Sequence, residues 1–336
     1  MTRYVIAIIS YAITLAAVVA TLFGGAENLG LLFFAAIGTP VSVLLLMRAV
    51  LAPPAEARPG AGPFLLGATV IPVGVLVLGA LVSGAVVVLV SPLRGAVVDL
   101  SAELSIETSF VDLLFTGWAF FLLIELAVVA PVLEETLKPF GALVARPHTR
   151  SEALAFGAAA GAGFAVIENL LYASGGFWGT QWWTPISVVR MSGSALHLLG
   201  TALIALAVFE LRQPKEERLI SLPVAYGLAI GTHTAWNGSI AVATVLFAGN
   251  ERLGLSNDAA GWGNGLLVLL AVFGVVMLAA LLAVARAVRN GEPLRQVASM
   301  DSLGQAEKIA AWALVTSWLL VPIGIAVTLF PDVVAL

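Results

Sequence analysis

LLFTGWAFFLLIELAVVAPVLEETLKPFGALVA, residues 113–145, is the stretch whose reading decides the fold. It is apolar for long enough to cross a hydrocarbon core of roughly 30 Å, yet it carries Glu125, Glu134, Glu135 and Lys138. Ionisable groups in hydrocarbon cost a few kcal/mol each, at least ~2.5 at a helix centre, so by default they mark a site with partners. Glu134 and Lys138 stand at i,i+4 with the acid first, the better order for an ion pair on one helix face. Glu135 is turned roughly 100° away, so the two adjacent carboxylates point at one spot only through local distortion. Pro131 and Pro139 bracket the pair, and each removes a helical hydrogen bond, freeing the carbonyls of Ala127 and Glu135. Such irregularity is tolerated in lipid only where protein or a water-filled cavity satisfies the backbone.

The rest of the chain repeats the apolar theme. It is 60% hydrophobic and 11% charged, against about 45–50% and 25% in soluble domains. Nine apolar runs are read as spans, at 4–23, 29–48, 64–90, 113–145, 152–173, 184–211, 222–248, 266–286 and 309–330. The fold expected is an all-α, polytopic transmembrane helical bundle. The first run is too long for the apolar region of a secretory signal and reads as a retained span. The absence of cysteine excludes disulfides and thiolate chemistry. No basic block points to nucleic acid.

Charge sets an orientation. Arg3, Arg48 and Arg58, Arg146 and Arg150, Arg212, Lys215 and Arg218, and Arg286, Arg289, Arg295 and Lys308 fall on one side. The other side carries Asp99, Glu103, Glu107 and Asp112, the aromatic loop Phe177, Trp178, Trp182 and Trp183, and Glu251 with Asp258. The positive-inside rule places the N-terminus in the cytoplasm and the C-terminus outside, with the tryptophans in an interfacial belt.

The polar residues are unevenly shared. Spans one, two, three, eight and nine have no Asp, Glu, His or Lys in their apolar interiors, whereas spans four to seven hold Glu125, Glu134, Glu135, Lys138, Glu168, Asn169, Arg190, His197, His233 and Asn237. At ~1.5 Å per residue, Glu134, Glu168, His197, His233 and Asn237 all lie roughly 18–28 Å from the cytoplasmic boundary, one slab near mid-membrane. Phe164, Glu168 and Tyr172 form one stripe, with Gly157 and Gly161 before it as a GxxxG that predicts close helix packing. Arg190, Ser194, His197 and Thr201 share a face, as do His233 and Asn237. Glu125 lies nearer the external half, off this pattern, and reads as structural or is left unassigned. A lone His or Asn in a bundle is ordinarily interhelical glue; a full set at one depth is not.

Glu134-Glu135-Thr-Leu-Lys138, Phe164-Ala-Val-Ile-Glu168-Asn169, His197 and His233-Thr-Ala-Trp-Asn237 together resemble the signature of the PrsW family of membrane proteases, over about residues 113–248. That family looks related to the CAAX-prenyl endopeptidases and the bacterial Abi proteins, which share a glutamate-centred intramembrane site. The resemblance implies that Glu134 activates water, with Glu135 and Lys138 completing EExxK. Glu168 occupies the position where the prenyl-protease branch has a histidine, a departure that argues against CAAX substrates. His233 and Asn237 match the oxyanion-binding HxxxN element, and His197 matches the isolated histidine between them.

The function expected is therefore an intramembrane endopeptidase. Its catalytic core is 113–248, framed by transmembrane helices in 1–112 and 249–336. It would act in a prokaryotic plasma membrane on a membrane-anchored protein, and the family points to an anti-sigma factor. A water held between Glu134 and Glu168 would attack the peptide bond without a metal, His233 and Asn237 donating to the oxyanion. Zinc is the alternative, on Glu134, Glu168, His197 and His233. A proton-coupled transporter would also want intramembrane Glu and His, but no internal repeat supports it. A non-enzymatic immunity or scaffold protein is the remaining class.

Overall fold

In a bilayer every backbone polar group must be satisfied within the chain, so long apolar runs become helices. The computed structural model describes residues 2–24, 29–51, 61–103, 117–174, 183–214, 218–253 and 257–291, and among them there is no strand. The run expected at 309–330, the aromatic residues Phe177, Trp178 and Trp182, the acidic residues Glu107 and Asp112, and Lys215, Arg295 and Lys308 lie outside the described residues.

The helices are α1 (Thr2–Gly24), α2 (Leu29–Leu51), α3 (Ala61–Ala68), α4 (Val70–Glu103), α5 (Gly117–Ile124), a π-helical turn (Glu125–Val129), α6 (Ala130–Leu137), α7 (Phe140–Val144), α8 (Arg150–Ser174), α9 (Trp183–Ser192), α10 (Ser194–Glu210), α11 (Leu222–Leu253) and α12 (Asn257–Asn290). Five stretches among the described residues are long and apolar enough to cross a membrane: Leu32–Leu51, Ala61–Ser83, Arg150–Ser174, Ile186–Glu210 and Gly263–Asn290. Helices also occupy the runs read at 4–23 and 222–248 and, from Gly117, much of the run read at 113–145.

Two breaks were not expected. The run at 64–90 is interrupted at Thr69, and the run at 184–211 at Gly193. Apolar patterning reports burial in lipid, to which a single non-helical residue is invisible. Conversely, α11 continues through Glu251 and α12 begins at Asn257, so a loop expected between residues 249 and 265 is largely helix. A hydropathy reading ends a span where polar residues begin, although a helix can run on past that point.

The core centres on α10, in which every residue except Val208 is buried. It packs against α8, α11, α12 and α2, while α8 also packs on α2 and α3. The crossing of α8 and α10 is close because α8 presents its small residues there. A Cβ on Gly161 would come within 2.4 Å of the His197 carbonyl oxygen, so the expected GxxxG packing is present and sits beside a site residue. At the end of α10, the buried Glu210 accepts from Arg150 Nε at 2.5 Å and from the backbone amides of Leu219 and Ile220. That carboxylate ties the start of α8 to the connection between α10 and α11.

Gly161→Ala should therefore lower stability by about 1–3 kcal/mol through overpacking. At Gly231 an added Cβ meets nothing within 4 Å, so Gly231→Ala should be neutral or mildly stabilising. Thermal unfolding in detergent, followed by tryptophan fluorescence, compares the two; equal melting temperatures would contradict the close crossing.

Candidate active site

The stretch 113–145 folds in pieces because of its prolines. The N–H lost at Pro131 is accommodated by the π-helical turn Glu125–Val129, whose closing bond runs from the Ala130 N–H to the Glu125 carbonyl. After α6, Lys138 and Pro139 form a turn before α7 begins. Glu134, Glu135 and Lys138 are all buried at this broken point.

The angular divergence expected of Glu134 and Glu135 is overcome by reach. Lys138 lies four residues from one and three from the other, and both spacings bring side chains together. Its Nζ is 2.8 Å from Glu134 Oε2 and 2.9 Å from Glu135 Oε1. It is also 2.8 Å from His197 Nδ1, and 4.4 Å above the centre of the Phe164 ring. An ammonium has only donors, so His197 Nδ1 accepts, and the ring's proton sits on Nε2. That nitrogen faces Glu168 Oε2 at 2.9 Å. Glu168 in turn pairs with Arg190, whose other terminal nitrogen donates to Asn237 Oδ1 at 2.5 Å. The Arg190 guanidinium also lies 4.2 Å from the centre of the Tyr172 ring.

His233 closes the other side. Its Nδ1 donates to Glu135 Oε1 at 2.8 Å, leaving Nε2 facing Glu134 Oε2 at 3.6 Å. With Nδ1 protonated, neutral His233 offers a lone pair at Nε2 and donates there only as imidazolium. The rings of His197 and His233 meet edge to face, with centres 4.9 Å apart. Room for the Glu135 carboxylate comes from Gly200, where a Cβ would stand 2.8 Å from Glu135 Oε2.

All seven residues singled out from sequence thus lie in one network, buried except for the partly exposed Glu168: Glu134, Glu135, Lys138, Glu168, His197, His233 and Asn237. Arg190 is the member that was given no role. The signal was present, a guanidinium in an apolar run, but the break at Gly193 hides its partners from helical phase. Asn169 stands apart, donating to the Ala36 carbonyl and to Ser194 Oγ, as a bridge between helices.

The residues fit a metal in their chemistry. Donor atoms of Glu134, Glu135, His197 and His233 lie within 4.8 Å of one another, and zinc accepts carboxylate oxygen and imidazole nitrogen. Oε2 of Glu134, of Glu135 and of Glu168 and Nε2 of His233 are buried without a hydrogen bond of good geometry. Glu168, expected as a ligand, is instead held by Arg190 and His197, and Glu135 takes its place in the converging set. The ammonium of Lys138 touches three of these four side chains. Three carboxylates face two basic side chains, Lys138 and Arg190.

A cavity of about 460 Å³ reaches the network. Glu134, Glu168, Phe164 and Tyr172 line it, together with residues of α4, α5 and the π-helical turn. It brings the two carboxylates proposed for catalysis to one space.

Removing one partner of a buried ion pair leaves an uncompensated charge and costs about 3–5 kcal/mol. Lys138→Met should therefore destabilise strongly, and Lys138→Met with Glu135→Gln should recover part of the loss. Detergent denaturation of the three proteins measures this; strict additivity of the two changes would argue against the contact.

The family model described as PrsW family intramembrane metalloprotease matches residues 68–280, more than half of the 336. No curated protein and no solved structure matches the chain. The matched region holds every residue of the network described above. The chain belongs to the PrsW family of intramembrane proteases.

Proposed function

We propose that this protein hydrolyses a peptide bond of a membrane-anchored protein, with Glu134 as the residue that activates water. The observation that carries this is the cavity, which reaches Glu134 and Glu168 while the charged network holds both from behind. Water in the cavity donates one hydrogen to Glu134 and the other to Glu168, and its oxygen is set toward the scissile carbonyl carbon. Glu134 takes the proton as the C–O bond forms, giving a tetrahedral oxyanion. Asn237, its Oδ1 held by Arg190, turns its amide N–H toward that oxyanion. Glu134 then returns the proton to the amide nitrogen and the C–N bond breaks. Glu168, held by Arg190 and His197, stays in place as an acceptor, so a single carboxylate carries the proton in both directions. Lys138, Glu135 and His233 position Glu134.

A second reading has its own observations, the unpartnered Nε2 of His233, the converging donor atoms and the family's description as metalloprotease. Zinc there would be held by Glu134, Glu135, His197 and His233, and when bound would supply a Lewis acid and an acidified water. Lys138 would first have to withdraw from Glu134, Glu135 and His197, which is why the glutamate reading is preferred.

The nine spans, the cytoplasmic N-terminus and external C-terminus, and the core at 113–248 belong to the same proposal, supported by the alternation of basic and acidic loops. So do the kinship with CAAX-prenyl endopeptidases and Abi proteins, the prokaryotic plasma membrane and an anti-sigma factor as substrate, all supported by motif resemblance.

Glu134→Gln should lower cleavage of a membrane-anchored model substrate by about 10²–10⁴-fold, with the detergent elution profile unchanged. Wild-type cleavage should survive chelation. Chelator-sensitive cleavage with one bound zinc per chain would establish the metal reading instead, and a folded wild type that cleaves no membrane substrate would sink both.

A further inference from the structure

The cavity has a third carboxylate that the mechanism does not use. Glu125 lies on the π-helical turn, a feature found often at functional sites, and it lines the same space as Glu134 and Glu168. Its Oε2 accepts from the hydroxyl of Ser83 on α4. Among the described residues its Oε1 takes no hydrogen bond, and it lies beside Gly79, where even a Cβ would stand 3.8 Å away.

Glu125 differs from the other carboxylates of the bundle interior in lacking a counter-charge. Glu134 and Glu135 share Lys138, Glu168 has Arg190, and Glu210 has Arg150. No basic side chain among the described residues meets Glu125. A carboxylate in apolar surroundings is costly without a partner, and the cavity around this one is walled by Pro72, Val75, Leu76, Phe121, Leu133 and Ile167. The cavity is the open side of Glu125, so a cation that met it would come from there.

We propose that Glu125 is a specificity residue that receives a Lys or Arg side chain of the substrate. The proposal rests on Glu134 as the residue that attacks the bond. The two glutamates stand nine positions apart, a rise of at most roughly 13 Å at 1.5 Å per residue, the π-helical turn shortening it. An extended peptide covers that distance in about four residues at ~3.3 Å each. The favoured substrate therefore carries a basic residue about four positions from the cleaved bond. A Glu125 that served only to tie α4 to the π-helical turn through Ser83 would be replaced by Gln with no effect on substrate choice.

Labelled synthetic transmembrane peptides of about 20 apolar residues, identical except for one Lys stepped along the sequence, test this beside a matching Glu series. Binding is measured to detergent-purified Glu134→Gln protein, and cleavage to wild type. The Lys peptide of best register should bind at least about tenfold tighter than its Glu counterpart. Adding Glu125→Gln should abolish the preference, and adding Glu125→Lys should reverse it, with elution profiles unchanged. Product masses from wild type should place the Lys about four residues from the cut. The absence of a Lys preference in the Glu134→Gln protein, or one that survives Glu125→Gln, overturns the proposal. Glu125-dependent binding without wild-type cleavage leaves the cation subsite standing and sinks the protease reading. Cleavage without Glu125-dependent preference does the reverse.

Discussion

An ammonium group removed from water must be surrounded by acceptors, and Lys138 is met by three, from Glu134, Glu135 and His197. The rest of the site depends on this contact. It holds two adjacent carboxylates on a common point despite their angular separation, and it sets the tautomer of His197. Through that tautomer it turns a ring N–H toward Glu168. Glu168 then anchors Arg190, and Arg190 orients Asn237. Four helical segments, around α6 and in α8, α9–α10 and α11, are joined by one chain of charged and polar contacts, each link fixing the donor or acceptor character of the next.

The backbone around Lys138 is irregular for a reason the prolines supply. A continuous α-helix through residues 113–145 would leave unsatisfied carbonyls in the middle of the apolar slab. The wider turn at Glu125–Val129 and the break at Lys138 and Pro139 redistribute those groups. The close approach of α8 to α10 then brings Glu168 and His197 onto the broken segment from behind. Small residues make this approach possible, and the absent side chain of Gly200 gives Glu135 its space.

Much of the site was legible in the sequence because it is made of residue types that apolar runs exclude. The i,i+4 spacing of Glu134 and Lys138, the common depth of Glu168, His197 and His233, and the GxxxG packing are local or one-dimensional properties. What was not legible depends on distances between helices. Glu168 was expected to share a water or a metal with Glu134, and its tie to Arg190 emerges only when α8 and α9 are side by side. Helical phase also assumes an unbroken helix, which fails at Gly193 and Thr69. Nothing in the pattern reveals that Glu125 shares a cavity with the residues nine and more positions away.

The distribution of charges along the chain bears on how such a protein enters a membrane. Lys138 has its counter-ions on its own segment, so α6 carries its neutralising partner with it as it leaves the translocation machinery. Glu168 does not; its cation, Arg190, comes 22 residues later on the next helix. The two are held together only when α8 and α9 lie against each other, so these segments are best inserted as a hairpin rather than singly. His233 and Asn237 follow last and find Glu135 and Arg190 already in place. Assembly of the charged centre thus follows the order of synthesis, and Glu168 waits for its cation only as long as one hairpin takes to emerge.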